Sequence, residues 1–308
     1  MMIEFEKWHG CKNDFMVIWI TSSDKDLVIP SLQRQARALC DRSGGGIGAD
    51  GLLVVETPTR RDMVPSSLTI INQDGSLAKN CGNGLRCATR SVLRRMELAG
   101  SQRDELPPAI EWKIEDRSFW CKVIDPSGLT GVEIGHVKIT TVRRESDLWR
   151  EIAAAAAKDH AIFNASESVA LVDTGNQHLV LFSAPCTPLA LDAFASKIQQ
   201  VSGWDGINVH VAWAEDSGSN RTNSRNQATR MKIDSTWRAI PWERGAGLTQ
   251  ACGSGAVAIA AAAADGITSE EEWTEIRMPG GSLLAHPSGE AWELVGPAQL
   301  VFTGTVEI

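Results

Sequence analysis

Tyrosine is absent from the 308 residues, so no phenol can serve as a general acid here and proton transfer falls to Cys, His, Asp, Glu or Lys. Clustered positive charge is missing too. The net charge is -8, whereas phosphate binding needs grouped cations, so nucleic acid is excluded as a partner. Arg86, Arg90 and Arg94 fall at helical i, i+4 spacing, and the spacing predicts a solvated helix face. No apolar run is long enough to span a bilayer, so no membrane partner is expected. The opening MMIEFEKWHG lacks a basic segment followed by an apolar one, which points to a cytoplasmic chain without a secretory signal. N-x-S/T matches at Asn164 and Asn220 carry no meaning in that setting. The seven cysteines are odd in number and lack metal-ligand spacing, so they read as free thiols and no metal is expected.

What is present is ordinary for a globular chain: 43% hydrophobic and 22% charged residues over a length that suits two domains. Short β-branched runs at 15–20, 52–56 and 68–72 read as strands, the last entering a turn at Asp74-Gly75. Residues 31–42 show helical spacing with Ser31 as N-cap, and 81–100 reads as a helix that opens on glycines and stops at Gly100. Hairpin strands follow at 112–125. Residues 132–139 read as a strand, 148–160 as a helix, and 167–182 and 206–213 as further strand segments. The polar stretch 216–230 reads as a loop extension. After it comes an alanine-rich helix, apolar all round and therefore buried on every side.

Two passages of the chain resemble each other. Asn72 stands nine residues before Cys81, and Glu243 nine before Cys252. Each cysteine opens a Gly-x-Gly (CGNG, CGSG) followed by a helix, and each half has a Gly/Asn turn before a strand, at 9–15 and at 174–178. An internal duplication explains both matches.

Glycines after a cysteine leave the first N–H groups of the next helix open to a ligand, and a helix start attracts an anion and lowers the pKa of a thiol placed there. Two such starts would supply two tunable thiols and two sets of donors for one carboxylate. That is what inverting a stereocentre requires: one thiolate removes the α-proton, a thiol on the other face delivers one, and N–H groups hold the enediolate. The expected acid/base pair is therefore Cys81 and Cys252, with His178 and Glu243 as partners that tune the thiols. Cys11, Cys40, Cys87, Cys121 and Cys186 lack the glycine setting and read as structural. Asn13, Asn72, Asn83, Asn176 and Asn208 each favour a turn singly. Together they suggest neutral amides around a zwitterion, with Arg244 as a fork for a second carboxylate. GIGADG at 46–51 satisfies G-x-G-x-x-G, but a helix precedes it and a strand follows, the reverse of a dinucleotide site.

In order, HGCKNDF, GIGADG, NQDGSLAKNCGNGLR, TGNQH, GINV and ERGAGLTQACGSGA resemble the blocks of diaminopimelate epimerases, and VGPAQLVFTG at 295–304 resembles that family's last strand. The resemblance implies an α+β fold of two pseudo-symmetric domains, each a β-barrel-like sheet around a central helix. They would run from 1 to 130, with the closing strand from about 296–308, and from 131 to 295. It implies an isomerase that interconverts LL- and meso-diaminopimelate for lysine and peptidoglycan-precursor synthesis, with no cofactor, no pyridoxal phosphate and no metal. By position, Gly82, Asn83, Gly253 and Ser254 would bind the reacting carboxylate, while Asn13, Asn72, Asn176, Asn208 and Arg244 would hold the distal arm. A homodimer is implied as well. Gln177 replaces the family's usual Pro in GNPH, and Gly51 stands where some members carry Gln; both bear on substrate choice. The alternative is a racemase of another amino acid, such as histidine, on the same architecture. A non-catalytic relative is disfavoured because both cysteines are present.

Overall fold

The computed structural model describes all residues except 60, 126–127, 143–146, 156–165, 201–205, 216–230 and 265–271. The 216–230 stretch and the end of the 148–160 helix therefore lie outside the described residues. The chain divides into unit 1, Met1–Glu133 with Val295–Ile308, and unit 2, Ile134–Leu294.

Unit 1 begins with β1 (Met2–Gly10), β2 (Asn13–Thr21), α1 (Lys25–Cys40), β3 (Gly51–Thr57), β4 (Ser67–Asn72), β5 (Leu77–Ala78) and α2 (Gly82–Leu98). It continues through β6 (Ala109–Ile114), β7 (Arg117–Asp125) and β8 (Leu129–Gly135). Unit 2 follows with β9 (Lys138–Val142), α3 (Asp147–Ala155), β10 (Ser166–Asp173), β11 (Gln177–Ser183), α4 (Pro188–Ile198) and β12 (Asn208–Ala214). It ends with β13 (Lys232–Glu243), β14 (Gly247–Leu248), α5 (Gly253–Ala263), β15 (Glu272–Met278), β16 (Gly281–Ser288) and β17 (Ala291–Pro297). The last strand, β18 (Gln299–Glu307), returns to unit 1.

The duplication extends from motif to topology. In unit 1 the sheet order is β18-β1-β2-β3-β4-β5, and in unit 2 the matching run is β9-β10-β11-β12-β13-β14. In each, the second-to-third pair of the duplicated strands (β2–β3, β11–β12) is parallel and its neighbours are antiparallel. A parallel pair needs a crossover, which α1 and α4 supply. Each sheet has two coated faces. Met16, Ile18, Leu52 and Val54 pack against α1, and Leu179, Leu181, Val209 and Val211 against α4. Because strand side chains alternate, the residues between these face the other way. On that side α5 contacts β9, β10, β11, β12, β15 and β16, so the unit 2 sheet wraps one helix. Its small side chains allow that envelopment, and Ala256 to Ala261 are all buried.

Several expectations need correction. The first helix starts at Lys25, not after Ser31, and carries Pro30 inside it, because burying Val28 and Ile29 outweighs one missing N–H. Residues 132–139 form the end of β8 and the start of β9, interrupted after Gly135, which has φ +92°. The whole of α4 escaped the sequence reading. Nor do the arginines of α2 form a solvated face. Arg86 is fully buried, and Arg94 pairs at 2.8 Å with Glu6, itself buried on β1. That carboxylate also accepts from Ser91 Oγ and Trp8 Nε1, so the stripe meets an acid in the sheet rather than water. The stop at Gly100 is as expected, with φ +100°; its N–H reaches Glu97 O and that of Ser101 reaches Met96 O.

The three glycines of GIGADG serve backbone packing. A Cβ at Gly46 would stand 2.2 Å from Ala38 O, one at Gly51 2.7 Å from Ile71 O, and Gly48 has φ +77°. The loop is tied down by Lys7, Asp14, Arg42 and Asp50. Burial alone would raise Asp14, but hydrogen bonds from Arg42 and Lys7 hold its carboxyl below the usual range.

Candidate active site

Both motif cysteines are helix N-caps. Cys81 has extended backbone (φ -157°, ψ 100°) and its Sγ accepts the N–H of Gly84 at 3.4 Å. Cys252 (φ -123°, ψ 113°) accepts the N–H of Gly255 at 3.3 Å in the same way. The first intrahelical bonds run from Leu85 N–H to Cys81 O and from Ala256 N–H to Cys252 O. The N–H groups of Gly82 and Asn83, and of Gly253 and Ser254, lie ahead of them and are left over by helix geometry.

In unit 1, Asn83 Nδ2 donates to Asn13 Oδ1 at 3.0 Å, and Asn13 Nδ2 donates to Asp50 Oδ2 at 2.7 Å. Arg86 lies beneath this first turn, donating to Asn83 Oδ1 and to Gly82 O, and so brings a buried positive charge to the start of α2. Asn72 is exposed at the end of β4; its side chain donates to Ser76 Oγ in the turn that follows.

Unit 2 uses different chemistry in equivalent places. The pairing of Val209 with Trp242 brings Asn208 level with Glu243, as Gly51 pairs with Asn72. Asn208 accepts from the backbone N–H of Arg244 and donates to Gln177 O. The Arg244 side chain is exposed, as is Asn176 in the turn around Gly175. Glu243 accepts from Thr249 Oγ1 at 2.6 Å. Cys252 is 3% exposed, and its Sγ is 3.6 Å from Ser254 Oγ.

The thiol at a helix start was expected to be acidified, and for Cys252 the structure reverses that. Burial first, and then the charge of Glu243, push its pKa well above the ordinary thiol value, against the smaller lowering by Ser254 and the Gly255 N–H. Burial also raises Cys40 to about 11 and Cys121 to about 12. None of the seven cysteines is in a disulfide.

His178 is fully buried and has a partner that the sequence reading missed, His210, with His178 Nδ1 and His210 Nε2 2.9 Å apart. Burial pushes His178 down to about 3, and burial, then the neighbouring ring, pushes His210 well below the usual imidazole range. A signal for His210 was in the sequence: in Val209-His210-Val211 a polar side chain points to the opposite face from two valines. Donor atoms of His178, His210 and Cys252 lie within 4.8 Å of one another, the only such group among the described residues. Two imidazoles and a thiol could ligate a borderline-soft ion, but a metal-bound histidine normally donates its other N–H to an acceptor. His178 Nε2 and His210 Nδ1 have no hydrogen-bond partner among the described residues, so we read the two rings as a hydrogen-bonded pair.

Residues 5–107 and 170–301 match the family described as Diaminopimelate epimerase. The chain belongs to this family. By that membership it is an isomerase. A diaminopimelate epimerase of Pseudomonas syringae pv. tomato is 32% identical over 318 residues and covers the whole of both chains. One from Rhodococcus jostii is also 32% identical, covering 99% of this chain and 97% of its own. Among solved structures, a phenazine biosynthesis protein of the PhzF family from Bacillus anthracis superposes with TM-score 0.69 at 11% identity, covering both chains fully. A hydroxyproline epimerase from Agrobacterium vitis, with bound trans-4-hydroxy-L-proline, gives TM-score 0.61 at 12% identity over 99% of this chain and 92% of its own. At these identities the likeness is one of fold.

Proposed function

We propose that this family member acts on diaminopimelate itself, interconverting the LL and meso forms with Cys81 and Cys252 as the proton-transfer pair and with no cofactor. One observation carries the reading: each cysteine caps a glycine-opened helix whose first N–H groups have no intrahelical acceptor by helix geometry. Cys252, kept protonated by burial and by Glu243, is the resting acid. Arg86, a buried cation at the start of α2, suits a resting thiolate at Cys81. Cys81 takes the α-proton, the C–H electrons pass into an enediolate, and Cys252 delivers its proton to the other face of the carbon. The reverse reaction exchanges the roles. N–H groups at Gly82, Asn83, Gly253 and Ser254 receive the carboxylate as its charge grows. His178 and Glu243 assist the thiols.

Asn13, Asn72, Asn176, Asn208 and Arg244 are the groups proposed to hold the distal amino-carboxylate arm. An exposed guanidinium suits a second carboxylate, and this feature favours diaminopimelate over histidine or another monocarboxylate. We place the reaction in the cytoplasm with free amino acid as substrate; no helix among the described residues is long and apolar enough to cross a membrane. The resemblance points to a homodimer, which sedimentation tests.

Incubation with LL-diaminopimelate in deuterated water should label the α-carbon and yield the meso form. Cys81→Ala and Cys252→Ala should each lower the rate by about 10³-fold or more, in line with loss of a positioned acid or base. Turnover of histidine or proline with diaminopimelate inert would overturn the substrate; normal inversion in either alanine variant would overturn the mechanism.

A further inference from the structure

The two amides of Asn13 and Asn83 stand between a carboxylate and a guanidinium. Asn13 Nδ2 donates to Asp50 Oδ2 at 2.7 Å, and Asn83 Nδ2 donates to Asn13 Oδ1 at 3.0 Å. Arg86 Nη2 completes the chain, donating to Asn83 Oδ1 at 2.7 Å. A carboxylate only accepts and a guanidinium only donates, so the two ends dictate which way each amide faces. Turning either amide over would set oxygen against oxygen or N–H against N–H. All three bonds also point the same way, so each polarises the next.

The second half of the duplication lacks this chain. Phe15 pairs with Gly51 across β2 and β3, as His178 pairs with Asn208 across β11 and β12. Phe15 therefore corresponds to His178, Leu53 to His210, Asn13 to Asn176 and Asp50 to Ile207. Counted from the motif cysteines, Asn83 corresponds to Ser254 and Arg86 to Val257. Ile207 and Val257 are both fully buried, so the fold builds the same helix start with hydrocarbon in place of either charge. In unit 1 Arg86 is fully buried as well, and a Cβ at Gly10 would stand 3.1 Å from its Nη2. Burying a cation is costly, so the chain needs a reason beyond packing.

We propose that Asp50 is a positioning residue that holds the Asn13 amide in one orientation for the substrate. This rests on the reading above, in which Asn13 meets the distal arm and Asn83 the reacting carboxylate. Arg86 fixes Asn83 from within, and Asn83 gives Asn13 one bond. Asp50 supplies the second, and an amide tied at both ends can neither swing nor turn over. A primary amide has two N–H groups; the chain takes one from Asn13, and the other is for the ligand. Because the amide is set beforehand, the substrate need not order it on binding. Asp50 is anchored in turn, its Oδ1 accepting from Arg42 Nη2 at 2.8 Å and its Oδ2 from the Asp14 N–H at 3.0 Å. The aspartate of GIGADG thus has a task distinct from that of its glycines.

The test separates the acceptor from the ion pair. The loop backbone is held without the side chain, by Asp50 N–H to Asp14 O at 2.8 Å and Ala49 N–H to Cys40 O at 3.1 Å, so Asp50→Ala should fold. It should raise KM on the order of 10-fold with kcat within about threefold, since binding rather than chemistry is lost. Asp50→Asn keeps an oxygen for Asn13 Nδ2 and the Asp14 N–H and should bring KM back to within about threefold of the parent. Arg42→Gln removes the ion pair, leaves the carboxylate and should keep KM within about twofold. In asparagine-labelled ¹⁵N protein without substrate, the two Nδ2 protons of Asn13 should be well separated by NMR. They should draw together in Asp50→Ala and stay apart in Asp50→Asn. An alanine variant with the parent KM, an asparagine variant no better than alanine, or Arg42→Gln as impaired as Asp50→Ala would each overturn the proposal. So would Asn13 protons that Asp50→Ala leaves unmoved. A parent enzyme inert toward diaminopimelate would count against the substrate reading, while the NMR arm would still decide whether Asp50 holds Asn13.

Discussion

At the scale of single residues, the cost of the candidate site falls on stability. His178 and His210 are buried and neutral, while in the unfolded chain each titrates near the ordinary value of about 6.5. The folded values are lower, so between about pH 6.5 and 3 the unfolded chain binds more protons and stability rises with pH. Acidification through that window should cost about 1.4 kcal/mol per pH unit for His178, with His210 adding in the same direction. His178→Phe with His210→Leu, matching Phe15 and Leu53, should flatten this slope in urea midpoints compared at pH 7 and pH 5. Parallel parent and variant curves would mean that the rings are charged when folded.

The cysteines were legible because their glycine settings are written in consecutive residues. His210 was not. Its importance depends on β11 and β12 lying side by side, a pairing between positions far apart in sequence. The raised thiol of Cys252 was hidden for the same reason, since burial and the approach of Glu243 are products of packing.

At the scale of elements, glycine at 255 acts twice. It gives its N–H to Cys252 Sγ, and its missing Cβ makes room for His210. Gly255→Ala should therefore force the His210 ring away and disturb the cap at Cys252, slowing α-proton exchange with α5 still formed, since alanine favours helix by about 1 kcal/mol. An unchanged rate with helix content retained would refute the close-packing argument. Exposed Pro30 offers a second test. It removes an N–H from the interior of α1, so Pro30→Ala should raise stability by on the order of 1–3 kcal/mol in chemical denaturation, provided the helix is otherwise regular there. The sequence points to a start at Ser31, because a serine N-cap before the spaced apolar residues is the local signal there. Tertiary burial of Val28 and Ile29 overrides it.

At the scale of the molecule, the chain returns to its beginning. β18 pairs with β1 from Met2–Glu307 to His9–Gln299, and Phe5 packs edge-on to Phe302 with centroids 5.8 Å apart. Removing residues 299–308 would leave β1 an open edge and uncover Phe5. The truncated chain should lose about 10 °C or more of thermal stability or aggregate, which differential scanning calorimetry and sedimentation would reveal. A truncated protein as stable as the parent would show that the strand is an ornament of unit 1 rather than part of it.

The family, the repeated cysteine motif and the strand-rich character of both halves are written in consecutive residues, in local spacing and in the alternation of side chains. The burial of Arg86, the raised thiol of Cys252 and the contact of His178 with His210 come from packing alone. Each of those depends on which distant strands become neighbours and on how much water they exclude, and neither is set by adjacent residues.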